Sequence, residues 1–183
     1  MRIIAGEMRG RQLKSVEGML TRPTSDKVKG AIFSSLGDKV MDARVLDLFA
    51  GTGNLAIEAL SRGSRDAVLV ERSRDAHSVI RENIEQMGVS HKSKLILLDA
   101  FEYINRYANE VFDLIFLDPP YREGLALKAI LDLKAHCFLA PDGVIIAETA
   151  KEEELNGDIF PFEIRKTGKY ADTKVWYLQR MDV

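Results

Sequence analysis

The sequence predicts an α/β fold: a mostly parallel seven-stranded sheet, helices on both faces, and an antiparallel hairpin closing the C-terminal side. Three observations predict it. From Arg44 onward, short aliphatic runs alternate with segments of helical period. Most of those runs are apolar without interruption, as strands covered on both faces must be. Residues 162–180 then hold two β-rich runs with only Ala171-Asp172 between them, the spacing of a hairpin.

The elements follow in order. RIIAG (2–6) reads as a short strand, and TSDKVKGAIFSSL (24–36) as a capped amphipathic helix with Val28, Ile32 and Leu36 on one face. RVLDLFA (44–50), DAVLVE (66–71), KLILLD (94–99), FDLIFLD (112–118) and GVIIAE (143–148) are the five core strands. A helix from Asn54 to Arg62 has Asn54 as N-cap and Gly63 just past its end. A second runs from Ser73 to near Gly88, with Ala76, Val79, Ile80, Ile84 and Met87 on one face. Shorter helices follow Asp99 and Glu123, and Pro141-Asp142-Gly143 is a turn into the fifth strand. FEIRKTGKY (162–170) and TKVWYLQR (173–180) form the hairpin.

A chain of 183 residues, 46% apolar and 30% charged, suits one compact domain. It can bury roughly 70% of its unfolded surface and needs no staple of disulfide or metal. Cys137 is the single cysteine, and His77, His91 and His136 have no ligand spacing with it, so no metal is expected. A lone thiol suits a reducing, cytoplasmic compartment. No 18-residue apolar run predicts a membrane span, and MRIIAGEMRGRQLK lacks the apolar core of a secretory signal. Net charge is −2, but residues 1–36 carry seven basic and three acidic side chains, or +4, leaving −6 on the rest. A basic leader on an acidic body can meet phosphates. The chain divides into a basic N-terminal extension (1–36, hairpin plus helix) and a sheet domain (37–183). A monomer is expected, since no exposed apolar helix face stands out.

Two motifs carry chemistry. DLFAGTGNLAIEAL (47–60) leaves a strand and opens a helix, and Gly51 and Gly53 let the backbone turn and approach a ligand. Glu71 ends the next strand, where a carboxylate can take both hydroxyls of a ribose. The same glycines satisfy a dinucleotide fingerprint. Asp47 speaks against it, because a carboxylate before the turn suits a cationic amino-acid tail better than a pyrophosphate. No His or Tyr is placed for hydride transfer either. Asp99, ending the third strand, can bond an adenine amine or cap the helix that follows.

The second motif is LDPPY (117–121) at the end of the fourth strand. The prolines force an extended backbone without N–H groups. What remains is the Asp118 carboxylate, nearby carbonyls and the Tyr121 ring. Tyr121 can stack on a planar base while Asp118 and the Pro119 carbonyl accept the hydrogens of its exocyclic amine. A nitrogen attacking a methyl group becomes positive, and a carboxylate already in place stabilises that charge. A methyl donor such as the sulfonium of S-adenosylmethionine leaves as a neutral thioether, so no metal or covalent nucleophile is required.

Together the glycine turn, Glu71 and DPPY resemble class I S-adenosylmethionine-dependent methyltransferases acting on amino groups, a Rossmann-like fold. MRIIAGEMRGRQL (1–13), TRPTSDKVKGAIFSSL (21–36), DLFAGTGNLAIEALSRG (47–63) and KYADTKV (169–175) resemble the RsmD family over nearly the whole chain. These are bacterial methyltransferases of the N2 amine of a guanine in 16S ribosomal RNA. In that family glycine is commoner than Ala171, and serine commoner than Thr52. Ala171 matters only if its backbone needs positive φ. The resemblance implies that Asp47, Phe49, Ala50, Gly51, Thr52, Gly53, Glu71, Arg72, Asp99 and Ala100 hold S-adenosylmethionine, released as S-adenosylhomocysteine. Asp118, Pro119, Pro120 and Tyr121 would hold the guanine, and Arg9, Arg11 and Arg22 the RNA phosphates. Thr24, Ser25 and Asp26 would order the leader near the cofactor mouth, or simply cap a helix. The target base would be single-stranded or pulled from its stack, within a small-subunit assembly particle. DPPY does not choose between purine amines, so adenine N6 remains open. So does a non-catalytic RNA-binding role.

Overall fold

The computed structural model describes residues 1–18 and 24–182. Helix α1 (Asp26–Leu36) precedes the sheet. Then come β1 (Arg44–Asp47), α2 (Asn54–Ser61), β2 (Asp66–Glu71), α3 (Arg74–Met87), β3 (Ser93–Leu97), α4 (Ala100–Arg106), β4 (Phe112–Leu117), α5 (Leu125–Ala135), β5 (Leu139–Ala150), β6 (Phe162–Tyr170) and β7 (Thr173–Arg180). One seven-stranded sheet has the order β3-β2-β1-β4-β5-β7-β6. Strands β1 to β5 pair in parallel, and β7 runs antiparallel to both of its neighbours.

Alternation along each strand divides the core into two layers. Leu114 and Phe116 of β4 join Phe33, Leu60 and Ile80 on one face, with α1, α2 and α3. Phe112, Ile115 and Leu117 join Tyr103, Ile130 and Phe138 on the other, with α4 and α5. A strand buried on both faces has no polar period, which is why FDLIFL reads as an unbroken apolar run. Among the described residues, no helix is long and apolar enough to cross a membrane.

Several boundaries differ from the sequence reading, each for a local reason. Strand β1 stops at Asp47, since Leu48 to Ala50 already belong to the turn. Asn54 is the first residue of α2 and not its cap; Gly53, at φ 81°, takes the cap position. The Asn54 side chain is drawn away by the Lys29 ammonium, which donates to its Oδ1 at 2.7 Å. Pro141-Asp142-Gly143 lies inside β5 as an irregularity: Phe112 pairs with Leu139, but Leu114 pairs with Val144. Gly143 suits the place, since a Cβ would stand 2.9 Å from the Asp113 carbonyl oxygen, a backbone atom that cannot turn aside. RIIAG is not a regular strand; a single antiparallel bridge joins Arg2 to Gln12. Ala171 does sit at positive φ, 41°, in the β6–β7 turn. An alanine there is strained by about 1 kcal/mol, which accounts for the preference for glycine.

The leader is sewn onto the sheet domain. Ile3, Met8 and Leu13 enter the first core layer. Ser61, ending α2, accepts the Glu7 N–H through its carbonyl and the Met8 N–H through its hydroxyl. Glu58 accepts N–H bonds from Ile4 (2.9 Å) and Ala5 (3.1 Å) and pairs with both Lys29 (3.0 Å) and Arg62 (2.9 Å). Lys29 is fully buried, so its charge does not belong to the basic surface of the leader. Burial pushes its ammonium pKa down, and Glu58 opposes that shift. Asn83 on α3 ties the leader to the glycine turn: it accepts the Lys14 N–H and donates to the Lys14 and Thr52 carbonyls.

Candidate active site

Strands β1 and β4 are direct neighbours, with Asp47 opposite Phe116. Their carboxyl ends therefore bring the glycine turn and the Asp-Pro-Pro-Tyr corner to the same edge, the end of an open α/β sheet where ligands bind.

Gly51 (φ 59°) and Gly53 (φ 81°) both need the left-handed region. A Cβ on Gly51 would meet nothing within 4 Å, so its outer side faces open space. Glu71 holds the turn, accepting the Gly51 N–H and the Ser73 N–H, each at 2.9 Å. Arg72 beside it is exposed, and Phe49 packs edge-on to Phe101 at 6.2 Å. Asp99 caps α4 through Oδ1, which accepts the Phe101 N–H at 2.9 Å, and Ala100 is buried behind it. The cap and an adenine bond remain compatible, since capping engages one oxygen of the two.

Asp47 is buried beneath the turn, and its Oδ1 has no hydrogen-bond partner among the described residues. Burial pushes its carboxyl up to about 8, with Asp118 and Glu71 adding to the shift. Asp118 is pushed up to about 7 by burial, and the Thr24 hydroxyl bond pulls it back. Glu148, buried on β5, is raised well above the ordinary carboxyl range by burial, then by Asp118. An orphaned carboxylate oxygen in an acidic recess fits a ligand that brings positive charge, such as an ammonium or sulfonium group. Among the described residues, no group of three or more His, Cys, Asp or Glu side chains could hold a metal ion.

These shifts predict a pH dependence of stability. Folded Asp47 and Asp118 hold protons more tightly than they do unfolded, where the usual value is near 4. Their contribution is greatest below about pH 4 and is lost as pH rises towards about 8. Asp47→Asn is expected to flatten that decline in denaturant unfolding midpoints; an unchanged slope would mean that Asp47 is solvated.

At the corner, Pro119 is buried, Pro120 exposed and Tyr121 half-buried. The Tyr121 hydroxyl lies 3.1 Å from Thr173 Oγ1 and also bonds Glu148. Thr24 Oγ1 stands 3.2 Å from Asp118 Oδ2 and 3.0 Å from Glu148 Oε1. Ser25 is the cap of α1, accepting the Val28 N–H. A cleft of about 80 Å³ opens beside the corner, lined by Thr24, Lys27, Tyr121, Glu148, Tyr170 and Thr173 among others. Arg9 and Arg11 are exposed on the leader, and the Arg11 guanidinium donates to the Gln86 carbonyl. Arg22 lies outside the described residues.

The sequence reading missed four of the residues that build this site. Glu148 had a signal, a carboxylate ending an apolar strand at the same sheet edge as Asp118. Lys29 had one too: it shares the stripe of Ile32, Phe33 and Leu36, where a lysine must find a buried partner. Glu58 and Asn83 had none, because their partners lie on another segment.

The family model described as "Conserved hypothetical protein 95" matches residues 1–179. The chain is 42% identical over 178 residues to "Putative rRNA methyltransferase YlbH" of Bacillus subtilis, covering 96% of both chains. It is 34% identical over 157 residues to the "Ribosomal RNA small subunit methyltransferase D" of Haemophilus influenzae, covering 85% of this chain and 81% of that one. Among solved structures, "Putative methyltransferase yhhF from Escherichia coli" superposes with a TM-score of 0.88 at 29% identity, covering 98% and 97% of the two chains. Similarity of this extent, over a sheet order and site of this kind, leads to one assignment: the chain belongs to the RsmD family of methyltransferases.

Proposed function

We propose that this chain transfers the methyl group of S-adenosylmethionine to the exocyclic N2 amine of a guanine in 16S ribosomal RNA. The observation that carries this reading is the meeting of the glycine turn and the Asp118–Tyr121 corner at the ends of two paired strands. The names of the relatives support ribosomal RNA of the small subunit as the substrate.

When bound, S-adenosylmethionine supplies an electrophilic methyl on a sulfonium and is left as S-adenosylhomocysteine. In this reading Gly51 to Gly53 give it backbone room, Glu71 and Asp99 meet its ribose and adenine, and Asp47 faces its ammonium. Arg72 and the buried Ala50 and Ala100 flank the donor in this reading. Tyr121 stacks on the flipped guanine. Asp118 and the Pro119 carbonyl accept its amine hydrogens, turning the nitrogen lone pair towards the methyl. As the carbon–nitrogen bond forms, Asp118 stabilises the positive nitrogen and then takes one of its protons.

The leader, residues 1–36, supplies the RNA contact through Arg9, Arg11 and Arg22, in an assembling small subunit, with the enzyme acting as a monomer in the cytoplasm. Replacing Arg9 and Arg11 together with glutamine is expected to weaken RNA binding and lower the slope of log affinity against log salt by about 2. Binding titrations at several salt concentrations measure this, and an unchanged slope removes these arginines from the interface. The function itself is tested by incubation with labelled donor and small-subunit RNA or particles, followed by mass-spectrometric mapping of the methylated base. Label on adenine N6 would replace guanine as the target, and RNA binding with no label would leave a binding protein.

A further inference from the structure

The Asp-Pro-Pro-Tyr corner does not hold itself. Behind it lies Glu148, 2% exposed on β5. Its Oε1 is 3.0 Å from Thr24 Oγ1, whose other contact is Asp118 Oδ2 at 3.2 Å. Its carboxyl also bonds Tyr121, whose hydroxyl reaches Thr173 Oγ1. One side chain thus touches both chemical ends of the tetrapeptide, the acid through a threonine and the aromatic directly. We propose that Glu148 is a positioning residue for methyl transfer, fixing Asp118 through Thr24 and Tyr121 by direct contact. The proposal rests on the methyl-transfer reading above and adds a residue to it.

A count of hydrogens shows that one of the two acids is protonated, and the surroundings of Glu148 select it. The Thr24 hydroxyl has one hydrogen and stands between two carboxyl groups. Were both ionised, it could satisfy one and would turn lone pairs towards the other. With a proton on Glu148 the chain closes: the Glu148 O–H donates to Thr24 Oγ1, and the Thr24 O–H donates to Asp118. The Tyr121 hydroxyl then donates to the Glu148 carboxyl. Negative charge rests on Asp118, beside the amine, and nowhere behind it. The groups facing Glu148 agree with this. They are Asp118, Asp47, Tyr121, Tyr170 and Tyr177, with Lys27 as a cation on the exposed rim. Burial and the two aspartates push its carboxyl up, towards the neutral acid.

The test uses the full chain and its Glu148→Gln and Glu148→Ala variants in single-turnover methyl transfer to small-subunit RNA across pH. Alongside, carboxyl-carbon NMR follows the RNA-free wild type. Glu148→Ala is expected to lower kcat by about 10- to 100-fold, with the donor KM unchanged. Glu148→Gln can donate to Thr24 and accept from Tyr121 as the neutral acid does. It is expected to restore most of the rate and to lack the alkaline decline that the wild type shows when Glu148 ionises. In the NMR titration Glu148 should lose its proton at higher pH than Asp118. The proposal is overturned by a Glu148→Ala variant with wild-type kcat, by a folded Glu148→Gln variant as slow as alanine, or by an ionised Glu148 at neutral pH. Absence of transfer by the wild type would instead overturn the methyl-transfer reading. The NMR result needs neither RNA nor turnover and still judges Glu148.

Discussion

Asp118→Ala is expected to lower the rate of methyl transfer by about 10²- to 10³-fold, while affinity for S-adenosylmethionine is largely kept. In the proposed mechanism the carboxylate has two tasks. It accepts an amine hydrogen, and it places negative charge where the nitrogen becomes positive. The residues proposed to hold the donor lie on other segments, at Gly51 to Gly53, Glu71 and Asp99. The same residue sets an acidic limit. Protonated Asp118 cannot serve the positive nitrogen, so kcat/KM for the RNA should rise with pH as its carboxyl ionises, around 7 in the free enzyme. A bound sulfonium draws that midpoint lower, so kcat should hold to more acidic pH than kcat/KM. Single-turnover rates and calorimetric donor binding measure both halves. A fully active alanine variant would remove the corner from the mechanism.

Glu58→Ala is expected to destabilise the protein by about 3–5 kcal/mol, because it leaves Lys29 buried without its counter-charge. It also strips the Ile4 and Ala5 N–H groups and Arg62 of an acceptor. For a domain of this size the melting temperature should fall by roughly 10 °C. The loss should be felt first in the leader, whose residues 3–5 would come loose from α2. Calorimetry and hydrogen exchange of the Ile4 and Ala5 amides measure it. A drop confined to a degree or two would mean that water reaches the pair.

The sheet was legible because its causes are local. Strands β2, β6 and β7 fall within the predicted bounds, since apolar and β-branched runs end there at charged or turn residues. The cap Ser73 and the left-handed Gly88 delimit α3 by their own chemistry. The glycine turn and the proline-locked corner were legible for the same reason, as short segments whose backbone restrictions can be named. What escaped depends on distant partners. Asn54 reads as a cap until the Lys29 ammonium, 25 residues earlier in sequence, claims its oxygen. Pro141-Asp142-Gly143 has every mark of a turn, yet pairing with β4 on either side, at Leu139 and Val144, carries it through the strand as a bulge. Thr24 is 94 residues from Asp118 and 124 from Glu148, so no pattern along the chain announces their contact.

Trp176 is the chain's single tryptophan. It is 3% exposed on β7, its indole N–H donates to Thr149 Oγ1 at 2.9 Å, and the Lys174 ammonium lies 3.7 Å from its ring centre. Thr149 directly follows Glu148. The molecule therefore carries its own optical reporter, one residue from the interior acid, with a dry surrounding that shifts emission to the blue. Its emission follows the packing of the second core layer, on the sheet face opposite the cleft, without any dye attached.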